Sequence, residues 1–200
     1  QTEAISAQAT AAIGAVPALL EQYAGVTVPA EIDAQARRGS RLFGGGRFRA
    51  FSPSDLCPDN VIVNEDGIRF LDYEWGGFRD ATLDITYLLT MFPACLCHID
   101  IPEHLAQSLI DAWRAEVVGV WPALADDAVL DRRLLDAAVI WVWLTTYWFM
   151  PDNEIRFAAA RQHGSSIPRS RALLARWRVL EQRAGAAHRP DIADFAAEVS

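Results

Sequence analysis

The segment Arg47–Asp72, RFRAFSPSDLCPDNVIVNEDGIRFLD, is the part of the chain whose pattern is strand-like. It begins with an aromatic-rich stretch and a proline-containing loop, and ends with two β-branched runs on either side of Asn64–Gly67. A short polar turn with Asn and Gly at its ends, between two such runs, is typical of a β-hairpin. The sequence therefore predicts one small hairpin, preceded by a loop and a strand-like stretch.

The hairpin leads to a geometric prediction for three polar residues. A turn centred on Asp66 places Asn60 directly opposite Asp72. Directly opposed residues have Cβ atoms about 4.5–5.5 Å apart on one face of the sheet. An amide oxygen and a carboxylate at that separation can share a divalent cation such as Mg²⁺, which prefers oxygen ligands. Asp55 lies in the loop that leads into the same hairpin.

Most of the remaining chain has helical patterns. An alanine-rich segment, Thr2–Tyr23, has apolar residues at helical spacing, and Pro17 favours either a kink or a division into two helices. A helix is also expected between Pro29 and the glycine turn at Gly44–Gly46. The predicted helices after Thr2–Tyr23 are Ala30–Phe43, Ile85–Cys95, Pro102–Val118, Asp127–Met150, Arg169–Ala184 and Ile192–Glu198. We therefore predict a mainly α fold with a small β-hairpin, of the α+β class.

The composition limits the classes of protein to which the chain can belong. A chain of 200 residues with a net charge of −8 and 52% hydrophobic residues is typical of a soluble globular protein. All 18 basic residues are arginine, which excludes Schiff-base chemistry and a Walker A loop built from this chain alone. The acidic balance argues against nucleic acid as a partner and favours a cationic small molecule.

The expected location is the cytoplasm, without a membrane anchor. Three cysteines do not form a disulfide framework, which favours a reducing compartment. The longest apolar stretch, Ala137–Met150, is shorter than the roughly 18 residues needed to cross a bilayer, so we expect it to be a buried helix.

Two segments carry a resemblance to a known family. The first is Ser54–Val61, SDLCPDNV, and the second is Leu71–Ile85, LDYEWGGFRDATLDI. They resemble the aminoglycoside phosphotransferase and choline kinase family, which typically reads His-Gly-Asp-Leu-His-Pro-Gly-Asn and then Ile-Asp-Trp-Glu-x-x-Gly-x-Gly-Asp-Pro-x-x-Asp-Leu. The first segment also fits the Asp-Leu-x-x-x-Asn catalytic loop of protein kinases.

The resemblance implies the large lobe of a protein kinase-like fold. The implied activity is ATP- and Mg²⁺-dependent transfer of a phosphoryl group to a hydroxyl of a small molecule, such as an amino sugar or an amino alcohol. By the resemblance, Asp55 would be the catalytic base, and Asn60 and Asp72 would hold Mg²⁺ on the phosphates of bound ATP. Asp80 and Asp84 match positions expected to brace the loop or to cap the next helix. Residues 1–46 would form a helical lead-in segment and residues 47–200 the large lobe.

The chain departs from the family pattern in ways that leave a second function open. Pro53 and Cys57 stand where the family has histidines. No lysine and no glycine-rich strand–turn–strand precede the loop, and we interpret Gly44–Gly46 as a flexible turn, not a phosphate cradle. We therefore expect an N-terminal small lobe to be missing from this sequence; the initial Gln1 favours a fragment of a longer polypeptide. The alternative function is a catalytically silent kinase-like binding or regulatory module.

Three further patterns have competing interpretations. The aromatic cluster within Trp141–Phe149, followed by Asp152 and Glu154, favours core packing over a wall for a cationic substrate. The cysteines of Cys95–His98 are zinc-capable, but their spacing is unlike that of common zinc sites, so we expect buried cysteines. The arginines of Arg169–Arg178 predict an amphipathic helix with a solvated face.

Overall fold

The computed structural model describes residues 2–91, 101–150 and 169–200, and the side chains of residues 6–91, 101–150 and 170–200. Within these ranges seven α-helices accompany two small antiparallel strand pairs. The predicted mainly α class is therefore confirmed. The helices are α1 Thr2–Ala24, α2 Ala30–Gly39, α3 Thr82–Met91, α4 Glu103–Val117, α5 Asp127–Phe149, α6 Arg169–Ala186 and α7 Pro190–Val199. The strands are β1 Arg49–Ser52, β2 Val61–Asn64, β3 Gly67–Phe70 and β4 Gly77–Asp80.

Helix α5 forms the centre of the core. Its residues 137–146 are buried without interruption, as expected for the longest apolar stretch. A helix that is apolar on all sides is stable only where other elements cover every face, and α1, α2, α3 and α6 pack against it. The lead-in segment therefore contributes to the same core as the rest of the chain. Among the described helices, none is both long and apolar enough to span a bilayer.

Helix α1 is continuous through Pro17, which corrects the alternative of two separate helices. A proline inside a helix removes one backbone hydrogen bond and clashes with the preceding turn. The apolar residues Ile13, Val16 and Leu20 are fully buried on both sides of Pro17. Their packing offsets the local cost of the proline, which the sequence pattern alone does not reveal.

The predicted hairpin is present, but its register differs from the prediction by one residue. Asn64 is paired with Gly67, so the turn has only two residues. The side-chain oxygen of Asn64 accepts a hydrogen bond from the N–H of Asp66 at 3.0 Å. Gly67 has a φ of +106°, which glycine adopts with little strain. The turn is therefore centred between two residues and not on Asp66.

This register separates Asn60 from its predicted partner. Asn60 lies beside Leu71, whose N–H donates a hydrogen bond to the Asn60 carbonyl at 2.7 Å. Asp72 has a φ of +53°, outside the extended range, so strand pairing ends before it. The prediction that Asn60 directly faces Asp72 is therefore wrong. Asp72 nevertheless lies next to the residue that is hydrogen-bonded to Asn60, because it directly follows Leu71.

The second strand pair was not predicted. Strand β1 pairs with β4, from Arg49 opposite Asp80 to Ser52 opposite Gly77. The backbone N–H of the residue after β4 extends the pair by donating to the carbonyl of Phe48 at 2.8 Å. Because β4 leads directly into α3, this pairing places the loop after β1 beside the start of α3.

Candidate active site

A cavity of about 570 Å³ opens beside the loop that follows β1. This volume lies within the range usual for small-molecule sites. Residues of α1, of the loop, of β4, of α3 and of α5 line it. Its aromatic lining residues are Phe43, Trp75, Tyr87, Trp141, Tyr147 and Trp148. Among the described residues, its charged lining residues are Asp55 and Arg79. The described part of the lining thus combines an apolar wall with one carboxylate and one guanidinium group.

Asp55 is held at the cavity wall by the loop and by α3. Its Oδ1 accepts a hydrogen bond from the hydroxyl of Tyr87 at 2.7 Å and one from the backbone N–H of Cys57 at 3.3 Å. Its Oδ2 accepts no hydrogen bond from any described residue. The carboxylate is therefore fixed through one oxygen and presents the other as an acceptor.

The position of Tyr87 is set by aromatic packing between α3 and α5. Its ring makes an edge contact with Trp141, with the ring centroids 5.2 Å apart. The indole N–H of Trp141 donates to the backbone carbonyl of Leu83 at 2.8 Å, one helical turn before Tyr87. Edge-to-face aromatic pairs of this kind add stability beyond the area they bury. The tyrosine hydroxyl is therefore supplied to Asp55 by a rigid part of the core.

A relay of hydrogen bonds holds the backbone just before Asp55. The N–H of Ser54 donates to the hydroxyl oxygen of Ser52 at 3.0 Å, and that hydroxyl donates to Oδ1 of Asp84 at 2.5 Å. Ser54 has a φ of +71°, which is unfavourable for a residue with a side chain. The relay stabilises this strained conformation, in agreement with the expectation that Asp84 braces the loop.

Asp84 lies in a low-polarity environment at the first turn of α3. Burial raises the pKa of its carboxyl to about 6, while the hydrogen bond from Ser52 and the charge of Arg79 act in the opposite direction. The nearby charge of Asp80 raises it further. The group that braces the loop therefore changes its charge close to neutral pH.

Asp80 ties three parts of the chain together and is fully buried. Its Oδ1 accepts hydrogen bonds from the N–H and the hydroxyl of Thr82 at 3.1 and 2.6 Å. Its Oδ2 accepts one from the N–H of Phe48 at 3.4 Å. The carboxylate therefore satisfies donors at the start of α3, as expected for a capping residue, and also fixes the chain before β1.

The two residues predicted to hold a metal lie at the base of the hairpin. The side-chain amide of Asn60 donates to the backbone carbonyl of Asp55 at 3.4 Å, so these two residues are brought together. Asp72 is exposed, and its Oδ1 accepts a hydrogen bond from the N–H of Glu74 at 3.4 Å. Neither Asn60 nor Asp72 lines the cavity. The structure therefore links the side chain of Asn60 directly to the backbone of Asp55. Asp72 is linked to Asn60 only through the backbone hydrogen bond of Leu71, the residue before it.

The oxygen atoms of this pair suit Mg²⁺ chemically. Within the described residues, the side-chain oxygen of Asn60 and Oδ2 of Asp72 accept no hydrogen bond. Carboxylate and amide oxygens are ligands that Mg²⁺ accepts, with waters and substrate phosphates completing its shell. The donor set at the base of the hairpin therefore fits the predicted ion.

The aromatic cluster on α5 has two roles that the sequence did not separate. Trp143 is fully buried and packs against Trp177, with ring centroids 5.2 Å apart, so core packing is confirmed for it. Trp141, Tyr147 and Trp148 line the cavity. Trp141, Leu144 and Trp148 share one face of α5, because residues three or four positions apart lie on the same side of a helix, whereas Trp143 lies on another face. Two acidic residues and a cysteine-rich segment also considered from the sequence, Asp152, Glu154 and Cys95–His98, lie outside the described residues.

Sequence reasoning did not identify Arg79 as a site residue. Its side chain is only 2% exposed, and its Nη2 donates to the carbonyl of Trp75 at 2.6 Å. A signal was present in the sequence, because the family pattern has glycine at the position of Arg79.

Comparison of the chain with known proteins gives no indication of its function. No protein-family model matches the chain, and no match to it is found among curated proteins.

Proposed function

We propose that the chain is the large lobe of an ATP- and Mg²⁺-dependent phosphotransferase that acts on a hydroxyl group of a small molecule. One observation carries the proposal. Asp55, the acidic residue of the loop motif, lies on the wall of an aromatic-lined cavity with one carboxylate oxygen anchored by Tyr87. A base that orients a hydroxyl needs this arrangement of one fixed oxygen and one oxygen that faces the substrate.

The chain's own residues account for the handling of the proton. An acceptor hydroxyl that donates a hydrogen bond to Oδ2 of Asp55 is oriented by it. The hydroxyl proton moves to Oδ2 as the acceptor oxygen forms its bond to phosphorus and the bond to the leaving oxygen breaks. Tyr87 keeps its hydrogen bond to Oδ1 and so prevents rotation of the carboxylate. The aromatic rings that line the cavity give it an apolar wall, which disfavours water that would compete with the acceptor.

Asn60 and Asp72 would hold the metal ion in this proposal. A bound Mg²⁺ would neutralise negative charge on the transferred group. The contribution of the hairpin is to bring the two oxygen ligands to the same end of a strand pair. The contribution of Asn60 is also structural, because its amide supports the backbone of Asp55.

The aromatic wall and Asp55 support an acceptor that carries an ammonium group, the feature that amino sugars and amino alcohols share. The faces of Trp and Tyr rings attract ammonium groups, and a nearby carboxylate strengthens the attraction. Trp141, Trp148 and Tyr87 line the same cavity as Asp55. The chemistry of the wall is therefore the main support for this class of substrate.

The proposal also includes a second lobe that packs on the hairpin. Val63, Ile68 and Phe70 lie on one face of the hairpin, because paired and alternate residues share a side. Their side chains are 74, 59 and 40% exposed. Apolar patches of this kind usually mark an interaction surface. A small lobe with a glycine-rich hairpin and a lysine would cover this apolar face. It would also supply the lysine that this chain lacks.

A specific observation favours the second candidate, a catalytically silent binding or regulatory module. Asn60 does not face Asp72 across the hairpin, and Asp72 does not line the cavity. Pro53 also stands where the family has histidine. A module of this kind would use the cavity to bind a small molecule without transferring a phosphoryl group.

The proposal is tested first by calorimetric titration with Mg-ATP. Wild-type chain should bind only with Mg²⁺ present, and Asp72→Asn should lose this binding. Asp66→Asn, which changes an exposed acidic residue of the hairpin turn, is the matched control and should bind as wild type does. Metal-dependent binding that survives Asp72→Asn would refute the metal assignment. Absence of binding, both in this chain and in the full encoded polypeptide, would favour the silent module.

The second measurement is the rate of phosphoryl transfer to an acceptor, monitored through the release of ADP. Asp55→Asn should lower the rate about 10²-fold or more, because general-base catalysis contributes on that order. Mg-ATP binding should be retained. Asp59→Asn is the control, since Asp59 is an exposed acidic residue of the same loop. Equal rates in Asp55→Asn and wild type would exclude Asp55 as the base.

A further inference from the structure

Arg79 is a buried cation on the wall of the cavity. It lies on β4, and its guanidinium lies 6.0 Å from the centre of the Phe43 ring. Its Nη2 donates to the carbonyl of Trp75. Phe43 and Trp75 both line the cavity, so the guanidinium is held between two of its walls.

The charge of Arg79 is not neutralised by a described residue. No carboxylate oxygen of the described part of the chain lies within 4.0 Å of its guanidinium. Its Nε is buried and has no hydrogen-bond partner there. Burial lowers the pKa of Arg79, and the more distant charge of Asp84 opposes this only in part. A buried guanidinium with an unused donor is costly unless an anion or another acceptor completes it.

The arrangement differs from that of a site for a simple cation. An ammonium group is attracted to Asp55 and to the aromatic rings, but Arg79 would repel it. A guanidinium presents its donors in a planar fork that matches the two oxygens of a carboxylate. A ligand with separated positive and negative groups would satisfy both charged residues of the cavity.

We propose that Arg79 is the binding group for a carboxylate of the small molecule, so that the cavity accepts a zwitterionic hydroxy amino acid and not a simple amino alcohol. The identity of this molecule as a phosphoryl acceptor rests on the proposed function, whereas the binding itself does not. In this arrangement the ammonium and hydroxyl end lies toward Asp55 and the carboxylate end toward Arg79.

Three small probes isolate the two charged groups. Serine carries a hydroxyl, an ammonium and a carboxylate group. Ethanolamine lacks the carboxylate, and 3-hydroxypropionate lacks the ammonium. Binding to the wild-type chain is measured without nucleotide or metal by titration, with intrinsic tryptophan fluorescence as the signal, since three of the seven tryptophans, Trp75, Trp141 and Trp148, line the cavity. We expect serine to bind at least tenfold more tightly than either of the other probes.

Substitution of Arg79 identifies the residue responsible. Arg79→Met should weaken serine binding at least tenfold and leave ethanolamine binding unchanged or improved, while Arg79→Lys should restore part of the loss. Arg41→Met makes the same chemical change at an exposed arginine and should have no effect. Circular dichroism establishes that each variant is folded. If Arg79→Met does not fold, the order of the three probes in wild type still decides.

Several outcomes would overturn the inference. These are ethanolamine binding as tight as serine binding, no binding of any probe, or loss of serine binding in Arg41→Met as well. Inorganic phosphate is a fourth probe: tighter Arg79-dependent binding of phosphate than of serine would assign the residue to a phosphate group instead. Arg79-dependent serine binding, with no Mg-ATP binding either in this chain or in the full encoded polypeptide, would leave this inference intact and count against the phosphotransferase. Mg-ATP binding without Arg79-dependent serine binding would overturn this inference and leave the proposed phosphotransferase intact.

Discussion

The two strand pairs of this protein have the same size and the same antiparallel pairing, but opposite environments. In the pair of β1 and β4, Ser52, Arg79 and Asp80 are buried and linked to polar partners. In the hairpin of β2 and β3, every residue from Ile62 to Trp75 is exposed. The first pair is stabilised by contacts between distant parts of the chain, and the second by a two-residue turn.

This difference separates two tasks at the candidate site. The buried pair fixes the loop that carries Asp55, through the relay from Ser54 to Asp84. The exposed pair leads into Asp72 and carries an apolar face that is open to solvent. We infer that rigid positioning of Asp55 depends on the first pair, whereas the second pair leaves an apolar face accessible.

The largest expected difference concerns the loss of one acidic residue in each pair. Asp80→Ala removes the acceptor of three buried hydrogen bonds and should lower the free energy of unfolding by about 3 kcal/mol or more. Asp66→Ala, in the exposed hairpin turn, should change it by less than about 0.5 kcal/mol. Urea denaturation measures both values. Similar losses in the two variants would mean that the buried pair has no special stabilising role.

An intermediate effect is expected from pH, because Asp84, the residue of α3 that accepts a hydrogen bond from Ser52 of the buried pair, has a raised pKa. The pKa of Asp84 is about 6 in the folded protein, against 3.8 for the free side chain, so the folded state holds this proton more tightly. Its contribution should therefore lower the free energy of unfolding as pH rises from about 4 to about 6, by about 2 to 3 kcal/mol in total. Above that range this group adds no further change.

The difference between wild type and Asp84→Asn, measured by urea denaturation across this pH range, isolates the effect. Ser52→Ala removes a hydrogen bond that lowers the pKa of Asp84 and should move the transition to higher pH. A difference between wild type and Asp84→Asn that does not vary with pH would contradict the assignment.

The smallest expected effect is on the hairpin itself. Replacing Val63 and Ile68 with threonine should change the free energy of unfolding by less than about 1 kcal/mol, because both side chains are exposed and threonine suits a strand. Binding of a hydrophobic-surface dye should decrease. Leu83→Ala, at a fully buried position, is the comparison and should cost about 2–5 kcal/mol. A loss of similar size in the hairpin variant would show that its apolar face already packs within the chain.

The sequence predicted the local elements well and the contacts between them poorly. The helix around Ala137–Thr146 was predicted because a long apolar stretch must be buried, and the hairpin because Asn64 and Gly67 enclose a polar turn. Its register was wrong by one residue, since composition does not distinguish a two-residue turn from a three-residue one. The conformation at Gly67 and the hydrogen bond from Asp66 to Asn64 decide that choice.

The candidate site shows the same division. Asp55 could be singled out from its motif, but the hydroxyl that anchors it comes from Tyr87, which belongs to a different element. The sequence signal at Arg79 was only a departure from glycine in the family pattern, and an isolated arginine on a short strand has no periodicity that indicates function. Its burial beside the cavity, which only the structure shows, distinguishes it from exposed arginines of the described part of the chain, such as Arg41.

The sequence by itself determined the helical class, the position of the hairpin and the lack of lysine among the given residues. It also singled out Asp55 as the candidate acidic residue of the loop. These follow from periodicity, turn chemistry and composition, which act over a few neighbouring residues. The tertiary structure alone decided the pairing of β1 with β4, the cavity and the placement of Asp55 and Arg79 on its walls. The physical reason is that these features depend on contacts between segments distant in the chain. Such contacts form only where burial and hydrogen bonding offset the entropy lost in bringing the segments together.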